Sequence, residues 1–334
     1  MRKSLYLTLI LAALWLLASC SGKEEYELLD TSPIVTVIYP TDGLGDRSYV
    51  DKIYLGADRA SREDGVRVQH LIPSTLEEAR DYVIQALEYD PEDGIKRLFI
   101  IAETGLDDQL EELAARAPED NLRQYLYIDS RRNVPGIHTI FLPLYGVCYE
   151  AGVLASSMEG VESAAVINAN PILPTLQEAT RAFREGFGAD GVEVLYLTED
   201  YGGFDMAGEL YQQSYELDGK YQIALPLCGG SAQGLFRYNR EFPDDSFYTI
   251  GVDAEMSAYS PRVPFSCVKH IDRAIQESIR KWRRGALPEH QHLGLESGYT
   301  ELLISEAYAR QFGPALERIH QAAIEKENAY EKNL

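Results

Sequence analysis

The chain has 334 residues, with 31 Lys and Arg against 53 Asp and Glu and a formal net charge of −22 at pH 7. A field of that sign excludes nucleic acid and anionic membrane as partners held by general electrostatics, and it repels polyanions at long range. Neutral and cationic small molecules remain, and the length allows two domains of ordinary size.

Arg2 and Lys3 precede a largely apolar run, Leu5 to Leu17, broken only by Thr8. A membrane span takes about 20 apolar residues, so this run is short for one. Leu17-Ala18-Ser19-Cys20 resembles a bacterial lipobox. Residues 1–19 are therefore expected to be a lipoprotein signal peptide, with Cys20 the acylated first residue of the mature chain. An ordinary secretory signal or a short membrane anchor is the alternative. Loss of the two basic residues takes the charge from −22 to −24. Residues 20–32 are polar and read as a tether. Within them Lys23-Glu24-Glu25 resembles a surface-export signal of some Gram-negative lipoproteins, against the plainer reading of a solvated linker. The expected location is the cell envelope, lipid-anchored to a membrane, on the periplasmic face with surface export as the alternative.

Beyond the tether, strand-like and helix-like segments alternate. Candidate strands are Ile34–Tyr39, Arg67–Leu71, Arg97–Ala102, Gln124–Ile128 and Thr139–Leu142. A second series follows: Ala164–Asn168, Glu193–Leu197, Tyr221–Leu225, Phe247–Gly251 and Phe265–Val268. Helical periodicity falls at Ser48–Glu63, Thr75–Tyr89, Asp107–Arg116, Tyr145–Ser157, Thr175–Phe187, Gly203–Tyr215, Ser231–Glu241 and Asp272–Gly285. Such alternation predicts α/β architecture with parallel sheets covered on both faces. Ten strands exceed one comfortable sheet, so two doubly wound lobes with a hinge and an interlobe cleft are expected. The ligand site would lie at the carboxyl ends of the strands. Lobe 1 is expected over 33–142 plus about 254–298, and lobe 2 over 143–253 plus about 299–334.

The turn after the first strand, Thr41-Asp42-Gly43-Leu44-Gly45-Asp46-Arg47-Ser48-Tyr49, is one glycine short of G-x-G-x-x-G and is followed by no G-K-[ST]. A phosphate loop offers backbone N–H groups to an anion, whereas Asp42 and Asp46 would oppose one. Asp46 alone is explained equally well as a cap on the helix that follows, with Gly43 and Gly45 only making the turn. That explanation leaves out Asp42 and Tyr49. Carboxylates beside an aromatic plate suit a flat ligand that donates hydrogen bonds, such as a purine with exocyclic N–H groups.

These residues resemble the D-G-G-x-x-D-x-S-F segment of the basic membrane protein family, lipid-anchored nucleoside-binding proteins of ABC importers with a type I periplasmic-binding fold. Three further blocks match in order: DSRRNVPGIHTIFLPLYGVCYEAGVLASSM, ATRAFREGFGADGVEV and YTIGVDAEMSAYSPRVPFSCVKHIDRAI. Together they span roughly Ile34 to Trp282. The resemblance implies base contacts from Asp42 and Tyr49 with Asp46 and Ser48 nearby, a base or cleft contact from Asp129, and ribose contacts from Asp253 and Lys269. A carboxylate accepts from two vicinal hydroxyls at once, and an adjacent ammonium keeps it ionised; an ordinary strand-end ion pair is the plainer reading of Asp253 and Lys269. Gly229-Gly230-Ser231-Ala232-Gln233-Gly234 stands where the family has a Gly-rich loop, which places Gly230 at the ligand or at a tight packing turn. The resemblance further implies an ABC permease as partner.

The chain departs from the family at several positions. Tyr49 replaces a phenylalanine, Val50-Asp51 an Asn-Gln pair, Glu103-Thr104-Gly105 a Gly-rich turn, and Asn168-Ala169-Asn170-Pro171 a Gly-Gly turn. Glu103 and Asn170 are thus new polar groups near the expected cleft. Tyr201, Phe204 and Phe236 are candidates for a second stacking ring.

Catalysis, cofactors and metals are not expected. Asp42 and Asp46 lack the further carboxylates of a Ca²⁺ site, and no G-x-S-x-G, H-E-x-x-H or Ser-His-Asp framework is present. His290-Gln291-His292 reads as a surface loop. Cys148, Cys228 and Cys267 contain no C-x-x-C and read as buried free thiols, with one bridge as the alternative. The alternatives to nucleoside capture are a lipoprotein of the same fold for another small polar ligand (a sugar or a signal), a nucleoside hydrolase, and a surface lipoprotein with a protein partner.

Overall fold

A computed structural model describes residues 30–334, apart from 42, 91, 118–121 and 245 and the side chain of 314. The expected signal peptide, Cys20, the tether up to residue 29 and Asp42 lie outside the described residues. Ser32–Leu334 forms one compact unit.

Among the described residues thirteen strands build three sheets. They are β1 (Ile34–Ile38), β2 (Arg67–Leu71), β3 (Arg97–Ile101), β4 (Arg123–Ile128), β5 (His138–Phe141), β6 (Ala164–Asn168), β7 (Val192–Tyr196), β8 (Ile223–Leu227), β9 (Tyr248–Thr249), β10 (Gly251–Asp253), β11 (Phe265–Lys269), β12 (His290–His292) and β13 (Thr300–Ile304). A six-stranded parallel sheet has the order β12-β5-β4-β3-β1-β2. A four-stranded parallel sheet has the order β7-β6-β8-β9. In the small third sheet β11 pairs parallel with β10 and antiparallel with β13.

The six-stranded sheet is buried on both faces because successive strand residues point to opposite sides. Val35, Val37, Leu98, Ile100, Leu126 and Ile128 pack under the helices Tyr49–Glu63 and Ile271–Arg283. Their neighbours Ile38, Phe99, Ile101, Tyr125 and Tyr127 face the helix Leu76–Glu88 and the short helix Leu110–Ala114. The direction of winding reverses beside β1, between β2 and β3, and again beside β6, between β7 and β8. Crevices form at the carboxyl edges of such switch points.

Four sequence expectations are corrected. His290-Gln291-His292 is the edge strand β12, in register with Thr139, Ile140 and Phe141. Backbone pairing to β5 holds it, and a three-residue polar strand leaves no alternating signal. The strand expected over Phe247–Gly251 divides at Ile250, whose N–H still reaches Ala224 in the four-stranded sheet, while Gly251 opens β10. At Gly251 a Cβ would lie 2.2 Å from the Ser266 hydroxyl oxygen, so the crossing between sheets requires glycine. The helix expected from Gly203 begins at Ala207, and residues 203–206 remain an irregular connection. The segment expected as one helix over Asp107–Arg116 is a 3₁₀ turn, Thr104–Gln109, followed by Leu110–Ala114.

The C-terminal helix Leu316–Glu331 had no counterpart in the sequence reading. Buried Glu327 docks it, accepting from the N–H groups of Gly146 at 3.0 Å and Leu295 at 2.8 Å. Among the described residues no helix is long and apolar enough to cross a membrane. Cys148, Cys228 and Cys267 are buried free thiols.

Candidate functional site

A cavity of about 400 Å³ opens where the carboxyl ends of β1, β3, β4, β6, β8, β10 and β11 meet. Small-molecule sites run from roughly 300 to 1,000 Å³. Asp46, Tyr49, Asp129, Gly230, Asp253 and Lys269 all line it. Ser48 stands behind the wall and reaches it through Asp253.

The turn after β1 is organised by its own carboxylates. Asp46 accepts from the backbone N–H groups of Ser48 at 2.9 Å, Val50 at 2.9 Å and Asp51 at 3.1 Å. Asp51 accepts from Gly45 at 2.8 Å and Arg47 at 2.9 Å. The N–H groups that a phosphate loop would offer are thus occupied by the protein. Asp46 both caps the helix and faces the cavity, and burial raises its pKa against those hydrogen bonds.

Tyr49 opens the helix Tyr49–Glu63, with the Lys269 ammonium 5.5 Å from its ring centroid. Its hydroxyl is buried without a hydrogen-bond partner among the described residues. Burial, followed by the charges of Asp129 and Asp253, pushes the phenol well above its ordinary pKa.

Asp129, just after β4, and Asp253, the last residue of β10, both lie in the left-handed backbone region, at φ 60° and 63°. Aspartate is among the few non-glycine residues enriched there, and such conformations concentrate at functional sites. Asp129 accepts from Lys269 at 2.7 Å and from the Leu142 N–H at 3.2 Å. The ion pair is nearly dry, its side chains 5% and 4% exposed. Asp253 accepts from the Ser48 hydroxyl at 3.1 Å.

The direct partner of Lys269 is therefore Asp129, where the family resemblance implied an adjacent Asp253. Asp253 is turned instead toward Ser48, and the ammonium acts on it from beyond contact. Burial pushes the Asp253 carboxyl up to about 6, with Lys269 opposing and Asp46 and Asp129 adding to the rise.

Glu103 also faces the cavity. Its two carboxylate oxygens accept from Thr41 N–H at 3.0 Å and Gly105 N–H at 2.8 Å, and burial raises its pKa. Asn170 does not line the cavity; its side chain ties Gly202 to the Ile172 and Leu173 N–H groups.

The facing wall comes from the loops of the four-stranded sheet: Leu173, Leu176, Tyr201, Phe204, Leu227 and the Gly229-Gly230 turn. A Cβ on Gly230 would lie 2.9 Å from the Phe204 carbonyl and 3.6 Å from Asp46, so this loop approaches the β1 turn closely. Of the three candidate stacking rings, Tyr201 and Phe204 line the cavity, while Phe236 is fully buried in the core. Sequence reading missed Leu76, Thr175, Leu176, Asp205 and Cys228, whose only signal was a place shortly after a predicted strand. Among the described residues the charged ones lining the cavity are Asp46, Glu103, Asp129, Asp205, Asp253 and Lys269. Carboxylates accept, so the arrangement suits a neutral or cationic ligand rich in O–H and N–H donors.

No protein-family model matches the chain. It is 24% identical over 327 residues to an uncharacterized lipoprotein of Pyrococcus horikoshii, covering 88% of this chain and 75% of that one. Among solved structures it resembles an ABC transporter system solute-binding protein from Aeropyrum pernix, with TM-score 0.65 and 22% identity over 89% of this chain and 86% of that one. It also resembles a carbohydrate transporter solute-binding protein from Agrobacterium radiobacter in complex with D-arabinose, with TM-score 0.60 and 15% identity over 87% and 99%. The fold is that of the periplasmic-binding-protein-like solute-binding proteins, as the alternating pattern and the motifs led us to expect.

Proposed function

We propose that the chain is a lipid-anchored solute-binding protein that captures a nucleoside, with purines favoured, for an ABC importer. One observation carries the reading: the Tyr49 ring lies in a single cavity with Asp129, Asp253 and Lys269, each charged group already held by a protein partner or by another member of the set. A site held in place beforehand loses less entropy on binding. The lipoprotein relative supports the anchor at Cys20, and the motif order supports the nucleoside.

In this mechanism Tyr49 stacks on the base, with Tyr201 or Phe204 opposite. Asp253 accepts from the sugar hydroxyls. Asp129 and Lys269 act as one unit, whose free lone pairs and N–H groups face the ligand. Asp42 takes the base edge on the strength of the motif alone. The six-stranded and four-stranded sheets are the cores of two lobes, with crossovers near residues 142, 253 and 298. Closure about them presents a surface to the permease. The role is binding, with no chemical step.

A pentose or related sugar is the second reading, favoured by the arabinose-bound structural relative. Melting temperatures measured with purine nucleosides, pyrimidine nucleosides, free bases and pentoses separate the two, because a ligand at a hundred times its Kd stabilises by about 2.7 kcal/mol. Stabilisation by purine nucleosides above all others is expected. Stabilisation by pentoses alone would overturn the nucleoside reading and leave the sugar one standing.

A further inference from the structure

A second cavity, of about 350 Å³, opens beside the mouth of the first and shares Gly45, Ala207 and Gln233 with it. Arg47, Arg237 and Arg240 line it, and among the described residues no Asp or Glu does. In a chain with 53 acidic residues against 31 basic ones, a cavity lined in this way is a local reversal of sign.

Tyr259 gathers two of the three cations. The Arg47 guanidinium lies 5.4 Å from its ring centroid, and Arg240 donates to its carbonyl at 2.9 Å. Arg47 approaches from the β1 turn and Arg240 from the helix Gln233–Glu241, so both sides of the cleft contribute. Among the described residues the Arg47 side chain has no ion pair or hydrogen bond. Arg237 pairs with Glu241 at 3.0 Å on an exposed surface, a weak contact that uses part of a five-donor group. Glu241, which also lies near Arg240, is further engaged by the Tyr211 hydroxyl. Gln233 adds a buried side-chain Nε2 with no partner.

We infer that this crevice is an oxyanion subsite that binds phosphate, carried on the solute as a phosphate ester or held as the free ion beside it. Guanidinium forks match phosphate oxygens in geometry and charge. The distant negative charge of the chain does not prevent this, since it is screened beyond about 8 Å at physiological ionic strength. The backbone of the β1 turn takes no part, because Asp46 and Asp51 already occupy its N–H groups. The ester form rests on the solute-binding reading above; the free-ion form does not.

The test uses the full chain in phosphate-free buffer, with inorganic phosphate as the probe and sodium chloride at matched ionic strength as the control. Phosphate at 10 mM is expected to raise the melting temperature by about 2 °C or more beyond the control. The gain should vanish in Arg47→Ala/Arg240→Ala, whose own melting temperature in chloride should stay close to the wild type. Absence of a phosphate-specific gain overturns the inference, and so does an equal gain in the double variant. A purine nucleoside, its 5′-monophosphate and the nucleoside with added phosphate then identify the source. Binding of the monophosphate about tenfold tighter than the nucleoside indicates the ester, and a nucleoside affinity raised by free phosphate indicates the ion. If phosphate stabilises and no nucleoside binds, the subsite stands and the nucleoside reading falls; the converse result removes only the subsite.

Discussion

The two walls of the main cavity differ in kind. Among the described residues every charged one lining the cavity except Asp205 comes from the ends of the six-stranded sheet or from the small sheet carrying Asp253 and Lys269. The opposing wall, from the four-stranded sheet, is chiefly Leu173, Leu176, Tyr201, Phe204 and Leu227. The first wall supplies direction and charge, which set what can bind. The second supplies area removed from water, which adds affinity with little discrimination. Experiments that strike one wall should therefore change selectivity and pH dependence, whereas those that strike the other should shift affinity alone.

The largest effect is expected from Lys269→Met, which keeps the length of the side chain and removes the charge. Asp129 and Asp253 would then be buried without their cation. Removing one partner of a buried pair costs about 3–5 kcal/mol. The loss should be larger at pH 7.5 than at pH 5, where the Asp253 carboxyl, pushed up to about 6, holds a proton and has less need of the cation. Urea unfolding at the two pH values checks this. An equal loss at both would show that Lys269 contributes packing alone.

The same contrast marks what was legible in the sequence. Leu98-Phe99-Ile100-Ile101 announces a doubly buried strand by composition, and the cavity residues fall where strand-end logic places them. The pairing of Lys269 with Asp129 was not legible. Side-chain direction at Asp129 and Asp253 follows from two left-handed backbone positions, and no residue pattern encodes which of two nearby carboxylates meets the ammonium. Nor did the sequence separate Phe204, which lines the cavity, from Phe236, which fills the core. Both are aromatic residues shortly after strands, and only tertiary packing distinguishes them.

Next in size is the titration of Asp253. Its carboxyl sits at about 6 in the folded chain, against 3.8 as its ordinary value. Between those values the folded form holds a proton that the unfolded form has lost. Its contribution to stability is therefore greatest at low pH and is lost as pH rises through about 6. A gap of that width corresponds to about 3 kcal/mol. Asp46 and Glu103, also raised by burial, add slopes of the same sign. Asp253→Asn should flatten this descent in the ligand-free protein. Ligand affinity should run the opposite way, rising with pH up to about 6 because the ionised carboxylate is the better acceptor. It should fall about a hundredfold, to a level nearly independent of pH, in Asp253→Asn. Urea unfolding of the ligand-free protein from pH 4 to 8 tests the first and calorimetric ligand titrations from pH 5 to 8 the second, and an unchanged pH profile of affinity in the variant would remove Asp253 from the ligand.

The smallest effect belongs to the apolar wall. Phe204 is half-buried, lines the cavity and packs beside the Gly229-Gly230 turn, where a Cβ on Gly229 would lie 3.1 Å from its ring. Phe204→Ala removes contact area from one face of the ligand without touching a charge. An aromatic contact contributes about 0.5–1.5 kcal/mol beyond its buried area, so a loss of roughly tenfold in affinity is expected. The loss should be the same at pH 5.5 and pH 8 and the same for every ligand that binds, since the ring offers area and no charge. A loss that varies with pH, or that falls on one base and spares another, would give this wall a share of the recognition otherwise assigned to the charged wall and Tyr49.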